Sequence, residues 1–316
     1  MKPFLAATLI ASAMLAAGCG DRMTPQAGGG TAVSAVRSRG SSSSSLLYVS
    51  NAGDDTVSVY DYQDGNAKFA FRLTGFAGPA AECVAADGSV FVINVQNSKI
   101  YEYAHGGTGR VATVTDRFGS PQGCAVDPAS GNLAVTNASG LDGSPGNVVV
   151  YPHGLGKPKQ YFISDIDSAA YCVYADDGSL YVDGFSRFYF SGRLDILSPG
   201  SKSFKTVTIN GARILGPGAM QWDQSDLLVG DSALRETGHS GIYRFKITGL
   251  EAKAIDTTKL RGSGSIYQFW EGDGKIWAPQ SGGNAIHIYA YPAGALLGRF
   301  AKSTDAPYGI TVSSAP

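Results

Sequence analysis

The chain has 316 residues, with 25 Lys and Arg against 26 Asp and Glu and a formal net charge of −1. This length is sufficient for one large all-β domain, and the 42 glycines indicate many tight turns. The balanced charge argues against a nucleic-acid partner, because such a partner demands a basic face.

The N-terminus is typical of a secretory signal peptide. Lys2 supplies a positive start, and residues 4–17 form an apolar run too short to span a bilayer comfortably. The run ends in Leu15-Ala16-Ala17-Gly18-Cys19, which resembles a bacterial lipobox. The alternative is an ordinary signal peptide with an incidental cysteine.

The lipobox resemblance implies a signal peptide over residues 1–18 and a lipid on Cys19 that attaches the protein to the membrane of the cell envelope. Several acyl chains give stable attachment. Gly20 stands where an Asp would resemble an inner-membrane retention signal, so its presence favours the outer membrane. Residues 19–45, rich in Gly and Ser, are predicted to form a disordered tether.

A short apolar strand that closes on a small polar residue recurs six times from residue 46 onward. Its central residues lie 43, 43, 47, 47 and 49 positions apart. They are Tyr48, Phe91, Ala134, Tyr181, Leu228 and Trp277. A period of roughly 40–50 residues with several strands per unit is typical of a β-propeller. A second segment, the predicted third strand, repeats with a matching period. Its copies end in Tyr60, Tyr103, Tyr151, Leu197, Phe245 and Tyr289.

The chain begins its first repeat at Leu46 without an inner strand. Residues 307–312 resemble the inner-strand phrase at 121–126, so the C-terminal strand is predicted to complete blade one. Such closure removes the exposed edges of an open sheet. The sequence therefore predicts an all-β fold over residues 46–316, a six-bladed β-propeller of four-stranded antiparallel blades closed by its last strand.

The repeats resemble the NHL-type and TolB-like six-bladed propellers, in the broad group that also holds gluconolactonase-like proteins. The best match runs through residues 121–128, 131–137 and 146–151. The resemblance extends over essentially residues 46–316. It implies a fold and leaves the activity open, because this architecture supports many functions.

A gluconolactonase-like enzyme would hold a divalent metal, usually calcium, through Glu, Asn and Asp where the inner strands begin. Here those positions are Glu82, Gln122, Tyr171, Gly218, Tyr267 and Tyr308. Only Glu82 is anionic, and hard cations need several oxygen ligands. The family's metal site therefore does not carry over, and no cofactor is predicted. Glu82, Asn137 and Asp231 remain the candidates for a calcium ion.

Polar residues end the second strands of all six blades. They are Asn51, Asn94, Asn137, Asp183, Asp231 and Gln280. One interpretation is a ring of oxygens near a mouth of the channel. The other is that these side chains satisfy local turn backbone. No catalytic residue is predicted: His287 alternates within a strand and is expected to face outward, and no nucleophile–base pair is evident.

Three cysteines follow Cys19, at near-equivalent inner-strand positions: Cys83, Cys124 and Cys172. We expect small buried thiols, which is common for free cysteine. The alternative is one disulfide between neighbouring blades in an oxidising compartment.

The segments between second and third strands are long in blades three, four and five, at 138–146, 185–192 and 232–240. Insertions of this kind commonly gather on a binding face. The predicted ligand-binding residues are Phe185, Arg187, Phe188 and Tyr189 in blade four, Arg235 and His239 in blade five, and Tyr171 and Tyr267 in inner strands. The alternative is that the aromatic residues cap the channel or lengthen a hairpin.

The sequence thus predicts a monomeric, membrane-anchored binding or scaffold module for a protein, peptide or glycan. The alternative is a metal-dependent lactonase or hydrolase with a degenerate site. Stabilisation by calcium that depends on Glu82 would favour the enzyme.

Overall fold

Six β-sheets form the blades of a propeller in this computed structural model, which describes residues 45–186, 191–234, 239–280, 283–302 and 304–315. Blade one holds β1 (Ser45–Asn51), β2 (Thr56–Gln63) and β3 (Asn66–Leu73). Blade two holds β4 (Pro79–Val84), β5 (Val90–Asn94), β6 (Lys99–Tyr103) and β7 (Arg110–Thr115). Blade three holds β8 (Gly119–Val126), β9 (Leu133–Gly140), β10 (Pro145–Tyr151) and β11 (Lys159–Phe162).

The remaining blades follow in chain order. Blade four holds β12 (Ser168–Tyr174), β13 (Leu180–Phe185), β14 (Gly192–Leu197) and β15 (Lys205–Thr206). Blade five holds β16 (Thr208–Asn210), β17 (Pro217–Asp223), β18 (Asp226–Asp231), β19 (Gly241–Thr248) and β20 (Glu251–Lys259). Blade six holds β21 (Trp270–Gly272), β22 (Lys275–Pro279), β23 (Ile286–Ala290) and β24 (Leu296–Phe300), and the last strand is β25 (Pro307–Ser313).

Across the residues that the structure describes, no helix has the length and hydropathy needed to cross a membrane.

The C-terminal strand closes the ring, as the sequence predicted. β25 pairs antiparallel with β1, with Leu47 opposite Val312 and Val49 opposite Ile310. The sheet order β25-β1-β2-β3 makes blade one four-stranded from two distant parts of the chain. Both open edges that a linear array of blades would expose are thereby paired.

The recurring second strands form the centre of each blade and are buried along nearly their whole length. Each blade packs between two neighbours, so both faces of these strands contact protein. This explains why the second strands are continuous apolar runs instead of alternating apolar and polar residues.

Blade five has a fifth strand that the repeats did not predict. The outer strand of blade four pairs with β14 for only two residues, in β15. The chain then crosses over, and β16 pairs in parallel with β20 of blade five, with Thr208 opposite Glu251. A backbone hydrogen bond from Thr208 N to Leu250 O (2.8 Å) fixes the crossing. Blades four and five are therefore joined at their outer edges.

Two cysteines expected to be free form a disulfide between neighbouring blades. Cys83 of β4 bonds Cys124 of β8, with their Cα atoms 5.7 Å apart. Inner strands of adjacent blades approach closely near the axis, and this separation lies within the range that a disulfide can bridge. Cys172 is free and buried.

The expectation that His287 faces outward is wrong. Its side chain is buried, and its Nδ1 lies 3.1 Å from the hydroxyl of Tyr289. β23 is a third strand covered by its neighbours, so alternation along the strand does not bring this residue to solvent. Burial, together with the nearby Arg299, lowers the pKa of His287.

Candidate functional site

Five polar residues that end second strands are all buried, and four of them hold the loop that leads into an inner strand. The side-chain oxygen of Asn51 accepts a hydrogen bond from Asp305 N (3.1 Å), and that of Asn94 accepts one from Ala77 N (3.1 Å). Gln280 accepts one from Gly264 N (2.9 Å). The oxygens of these side chains accept hydrogen bonds from backbone N–H groups, as backbone carbonyl groups do elsewhere in a sheet.

Asp231 engages backbone with both carboxylate oxygens. One accepts hydrogen bonds from Gly216 N (2.8 Å) and Ala233 N (2.9 Å), and the other accepts one from Leu215 N (3.0 Å). Asn137 differs, because its amide nitrogen donates to Asp116 Oδ2 (3.0 Å) while its oxygen is buried without a partner.

Asp183 does not belong to this ring, contrary to the sequence interpretation. It stands one position earlier in its repeat than Asn137 and takes the place of Ser50 and Thr136. Successive strand residues point to opposite faces, so its side chain projects the other way. One oxygen accepts a hydrogen bond from Tyr171 N (2.8 Å), and the other is buried without a partner. Burial raises the pKa of Asp183 well above its usual range.

Residues at the starts of the inner strands meet across the channel. Gln122 of blade three donates a hydrogen bond from Nε2 to the Tyr308 hydroxyl of blade one (3.0 Å). Tyr267 of blade six stacks on Tyr308, with ring centroids 5.1 Å apart and planes 16° from parallel. Tyr171 lies beside Tyr308, and burial raises the pKa of Tyr171 well above its ordinary value. The two predicted inner-strand residues thus belong to one polar and aromatic layer.

Gln268 ties three blades together just below this layer. Its side-chain oxygen accepts hydrogen bonds from Glu82 N (3.2 Å) and Ile310 N (3.3 Å), and its nitrogen donates to Glu82 O (2.8 Å). Sequence reasoning missed this residue, because blade six carries no regular inner-strand phrase. The available signal was a lone amide within the run Ile266–Trp270.

Glu82 is 2% exposed and is the carboxyl group nearest to this junction. Its Oε1 accepts a hydrogen bond from Ser50 Oγ (2.5 Å), and its Oε2 is buried without a partner. Burial raises the pKa of Glu82 well above its usual range, despite the hydrogen bonds from Ser50. Within the described part of the chain, no group of three or more His, Cys, Asp or Glu side chains is placed to hold a metal ion.

A cavity of about 360 Å³ lies in the channel, lined by inner strands of all six blades. It extends from Glu82, Tyr171 and Gln268 to Pro128 and Asp176, which belong to the turns after inner strands. The cavity therefore opens on the face that carries these turns, which we call the turn face. The opposite face carries the loops between second and third strands, and we call it the loop face.

On the loop face, each long insertion first extends the hairpin of its blade. Backbone hydrogen bonds run from Gly140 N to Ser144 O, from Ser186 N to Ser191 O and from Leu234 N to His239 O. Of the predicted residues there, Phe185 is 42% exposed at the end of β13. The Nδ1 of His239 lies 3.3 Å from Ser263 O. Cys19, Arg187, Phe188, Tyr189 and Arg235 lie outside the described residues.

The fold has many relatives among solved structures. One, determined as a nidogen/laminin complex, aligns with a TM-score of 0.68 at 15% identity, covering 85% of this chain and 98% of the other. A functionally unknown protein from Desulfotomaculum acetoxidans DSM 771 aligns at 0.58 and 10% identity, covering 87% and 100%. A protein of unknown function from Bacteroides caccae aligns at 0.61 and 11% identity, covering 86% and 99%.

These identities show a shared propeller fold and no more. No protein-family model matches the chain. No curated protein matches it either.

Proposed function

We propose that the chain is an extracytoplasmic binding or scaffold module of the NHL-type or TolB-like kind. A lipid on Cys19 anchors it to the outer membrane, and residues 19–45 hold the propeller away from the bilayer. The propeller acts as a monomer and contacts a protein, peptide or glycan through the loop face of blades three to five.

The observation that carries this proposal is that the loops of blades three and four are hydrogen-bonded through Asp167 and present exposed apolar side chains. Leu141 of blade three is 67% exposed, and Phe185 of blade four is 42% exposed. Backbone hydrogen bonds join their loops, from Gly146 N to Asp167 O (2.7 Å) and from Asp167 N to Phe185 O (2.8 Å). Exposed apolar side chains on loops that a rigid frame holds are typical of interaction surfaces.

The comparison with solved structures supports the same class of function. The neighbour determined as a nidogen/laminin complex belongs to a protein–protein assembly. A propeller offers many loops on one rigid frame, which suits such an assembly without any change to the blades.

Paired surface substitutions test the proposal. Leu141→Asp with Phe185→Asp should abolish recovery of a specific partner from the native envelope, because a buried charge opposes apolar contact. The matched control is Leu155→Asp with Leu250→Asp, two exposed leucines in turns on the turn face. Equal recovery with both pairs would contradict a contact through the loop face.

The alternative function is that of a metal-dependent lactonase. It is based on Glu82, which occupies a channel position that gluconolactonase-like enzymes use. Calcium should then raise the melting temperature, and Glu82→Ala should remove the increase. A melting temperature independent of calcium in both proteins would favour the binding module.

A further inference from the structure

The channel cavity is separate from the loop face. Toward the loop face it meets the layer in which Gln268 bridges Glu82 and Ile310 and Gln122 bonds Tyr308. Its other end reaches the turn face. A ligand would therefore reach this cavity from the side opposite to the proposed macromolecular contact.

The lining of the cavity is rich in aromatic residues, and its ionised carboxyl group is that of Asp176, because burial raises the pKa of Glu82. Among the described residues that line it, five side chains are aromatic: Tyr171, Tyr174, Trp222, Phe269 and Trp270. Of the described side chains that line it, Glu82 and Asp176 carry carboxyl groups and none is Lys, Arg or His. A concave aromatic site with few polar groups suits a small ligand, and aromatic faces attract cations.

Two tryptophans of this wall are held in place by neighbouring groups. Trp222 stacks on Tyr181, with ring centroids 5.6 Å apart and planes 17° from parallel. The Trp270 ring packs edge-on to Tyr62 at 5.2 Å and lies so close to Gly272 that a Cβ there would be 2.2 Å from the indole. Fixed rings lose little entropy when a ligand binds.

The inner strands that carry these tryptophans are locked to each other. Gln221 donates from Nε2 to Glu271 O (2.8 Å), and Glu271 N donates to Gln221 Oε1 (2.9 Å). A reciprocal pair of hydrogen bonds therefore fixes the inner strands of blades five and six relative to each other.

Two further carboxyl groups follow the tryptophans in sequence and do not line the cavity. Asp223 directly follows Trp222, and Glu271 directly follows Trp270. Burial and then the charge of Asp223 raise the pKa of Glu271, although Arg244 acts in the other direction. Arg244 is engaged in ion pairs with Asp223 (3.2 Å) and Asp226 (2.7 Å). These groups lie outside the lining, so Asp176 is the carboxyl group that a cation in the cavity would meet.

We propose that this cavity binds a small organic cation, an alkylammonium or quaternary ammonium group, against its aromatic lining, which includes Trp222 and Trp270, with Asp176 at the mouth. Cation–π attraction and the Asp176 carboxylate favour the charged ligand over a neutral one of the same shape. The site is independent of the loop-face contact, so either proposal can fail alone.

Intrinsic fluorescence gives a direct readout, because two of the three tryptophans line the cavity and the third, Trp277, is 1% exposed. Choline, tetramethylammonium and butylammonium are titrated into the full-length protein. The matched neutral probe is 3,3-dimethylbutan-1-ol, which has the shape of choline without its charge. At least one cation should bind in the millimolar range or more tightly and alter the fluorescence, and the neutral probe should bind about tenfold more weakly or not at all.

Variants locate the binding. Trp222→Ala and Trp270→Ala should each weaken calorimetric binding about tenfold, with Trp222→Phe retaining part of it. Asp176→Asn should weaken binding and reduce its salt dependence. The control is Asp177→Asn in the same turn, because Asp177 does not line this cavity.

Three results would overturn the proposal. They are the absence of binding for every cation, equal binding of the neutral probe, and unchanged affinity in folded Trp222→Phe and Asp176→Asn proteins. The comparison of charged and neutral probes uses the unaltered chain, so it decides the question even if the alanine variants fail to fold.

Discussion

Glu82 is the buried carboxyl at which three blades meet. Ser50 of blade one donates to its side chain, and Gln268 of blade six is bonded to its backbone N–H and C=O. The hydrogen bonds that hold Glu82 in this position depend more on the shape of its side chain than on its negative charge. Desolvation makes the ionised form unfavourable, which is why the pKa of Glu82 is raised.

This raised pKa makes stability depend on pH in a defined direction. The folded protein holds the Glu82 proton more tightly than the unfolded chain, so the stabilisation is complete below the unfolded pKa, near 4.3. It is lost as the pH rises through the folded pKa. Asp183 acts in the same direction, because burial also raises its pKa.

Glu82→Gln should therefore flatten this dependence, since the amide keeps the shape and cannot ionise. The free energy of unfolding from urea titrations, measured between pH 5 and pH 8, should fall less with rising pH in the variant than in the unaltered protein. The variant should also gain relative stability at the alkaline end. A uniform loss of stability with an unchanged slope would contradict the assignment.

At the scale of strands, the sequence allowed prediction of every second and third strand and of the closing strand. The second and third strands lie in the middle of each blade, and neighbouring blades cover both of their faces, which imposes a regular apolar sequence. The crossover from β15 to β16 could not be predicted, because it depends on how outer edges of blades four and five meet. The Cys83–Cys124 bond was missed because it requires the relative offset of two inner strands.

Closure by β25 predicts a strong effect of truncation. Removing residues 307–316 would expose β1 as an open edge and uncover Leu47 and Val49, both fully buried. Thermal unfolding should lose its cooperativity, as measured by calorimetry. Removing only Ala315 and Pro316 should leave the transition almost unchanged. A cooperative transition at the original temperature in the longer truncation would show that β25 does not close the ring.

Strand register identifies a position where an introduced cysteine should form a second disulfide, between blades three and four. Cys83 pairs with Phe91, and Cys124 pairs with Val135. The equivalent positions one blade further on are Ala125, opposite Ala134, and Cys172, opposite Val182. Ala125 and Cys172 also share one hydrophobic cluster.

Ala125→Cys should therefore form a bond with Cys172 and stabilise the protein by about 2–4 kcal/mol. Titration of thiols in denaturant should show one free thiol fewer than in the unaltered protein, although a cysteine has been added. Ala125→Ser serves as the control for polarity. Recovery of an additional free thiol would contradict the proposed equivalence of the two blade interfaces.

For the whole molecule, the sequence indicated a regular ring with uneven loops, and the described residues agree with that architecture. Two features of its interior depend on contacts between different repeats. They are the bridging role of Gln268 and the stacking of Tyr267 on Tyr308. No pattern within a single repeat carries that information, which is why sequence reasoning did not assign them.

The two faces of the ring have different properties, and both proposals depend on that difference. The loop face presents Leu141 and Phe185 on joined loops, which suits a macromolecular surface. The turn face gives access to an aromatic cavity with the Asp176 carboxylate, which suits a small cation. A single propeller can carry both sites because its strands hold the two faces apart.

Site-specific photocrosslinking in the native cell tests the central claim most directly. A photoreactive residue is placed at position 141 or 185 on the loop face, and at position 155 or 250 on the turn face. The loop-face positions should give the same discrete crosslinked species, and the turn-face positions should not. Crosslinks of equal yield from all four positions, or from the turn-face positions alone, would contradict binding through blades three to five.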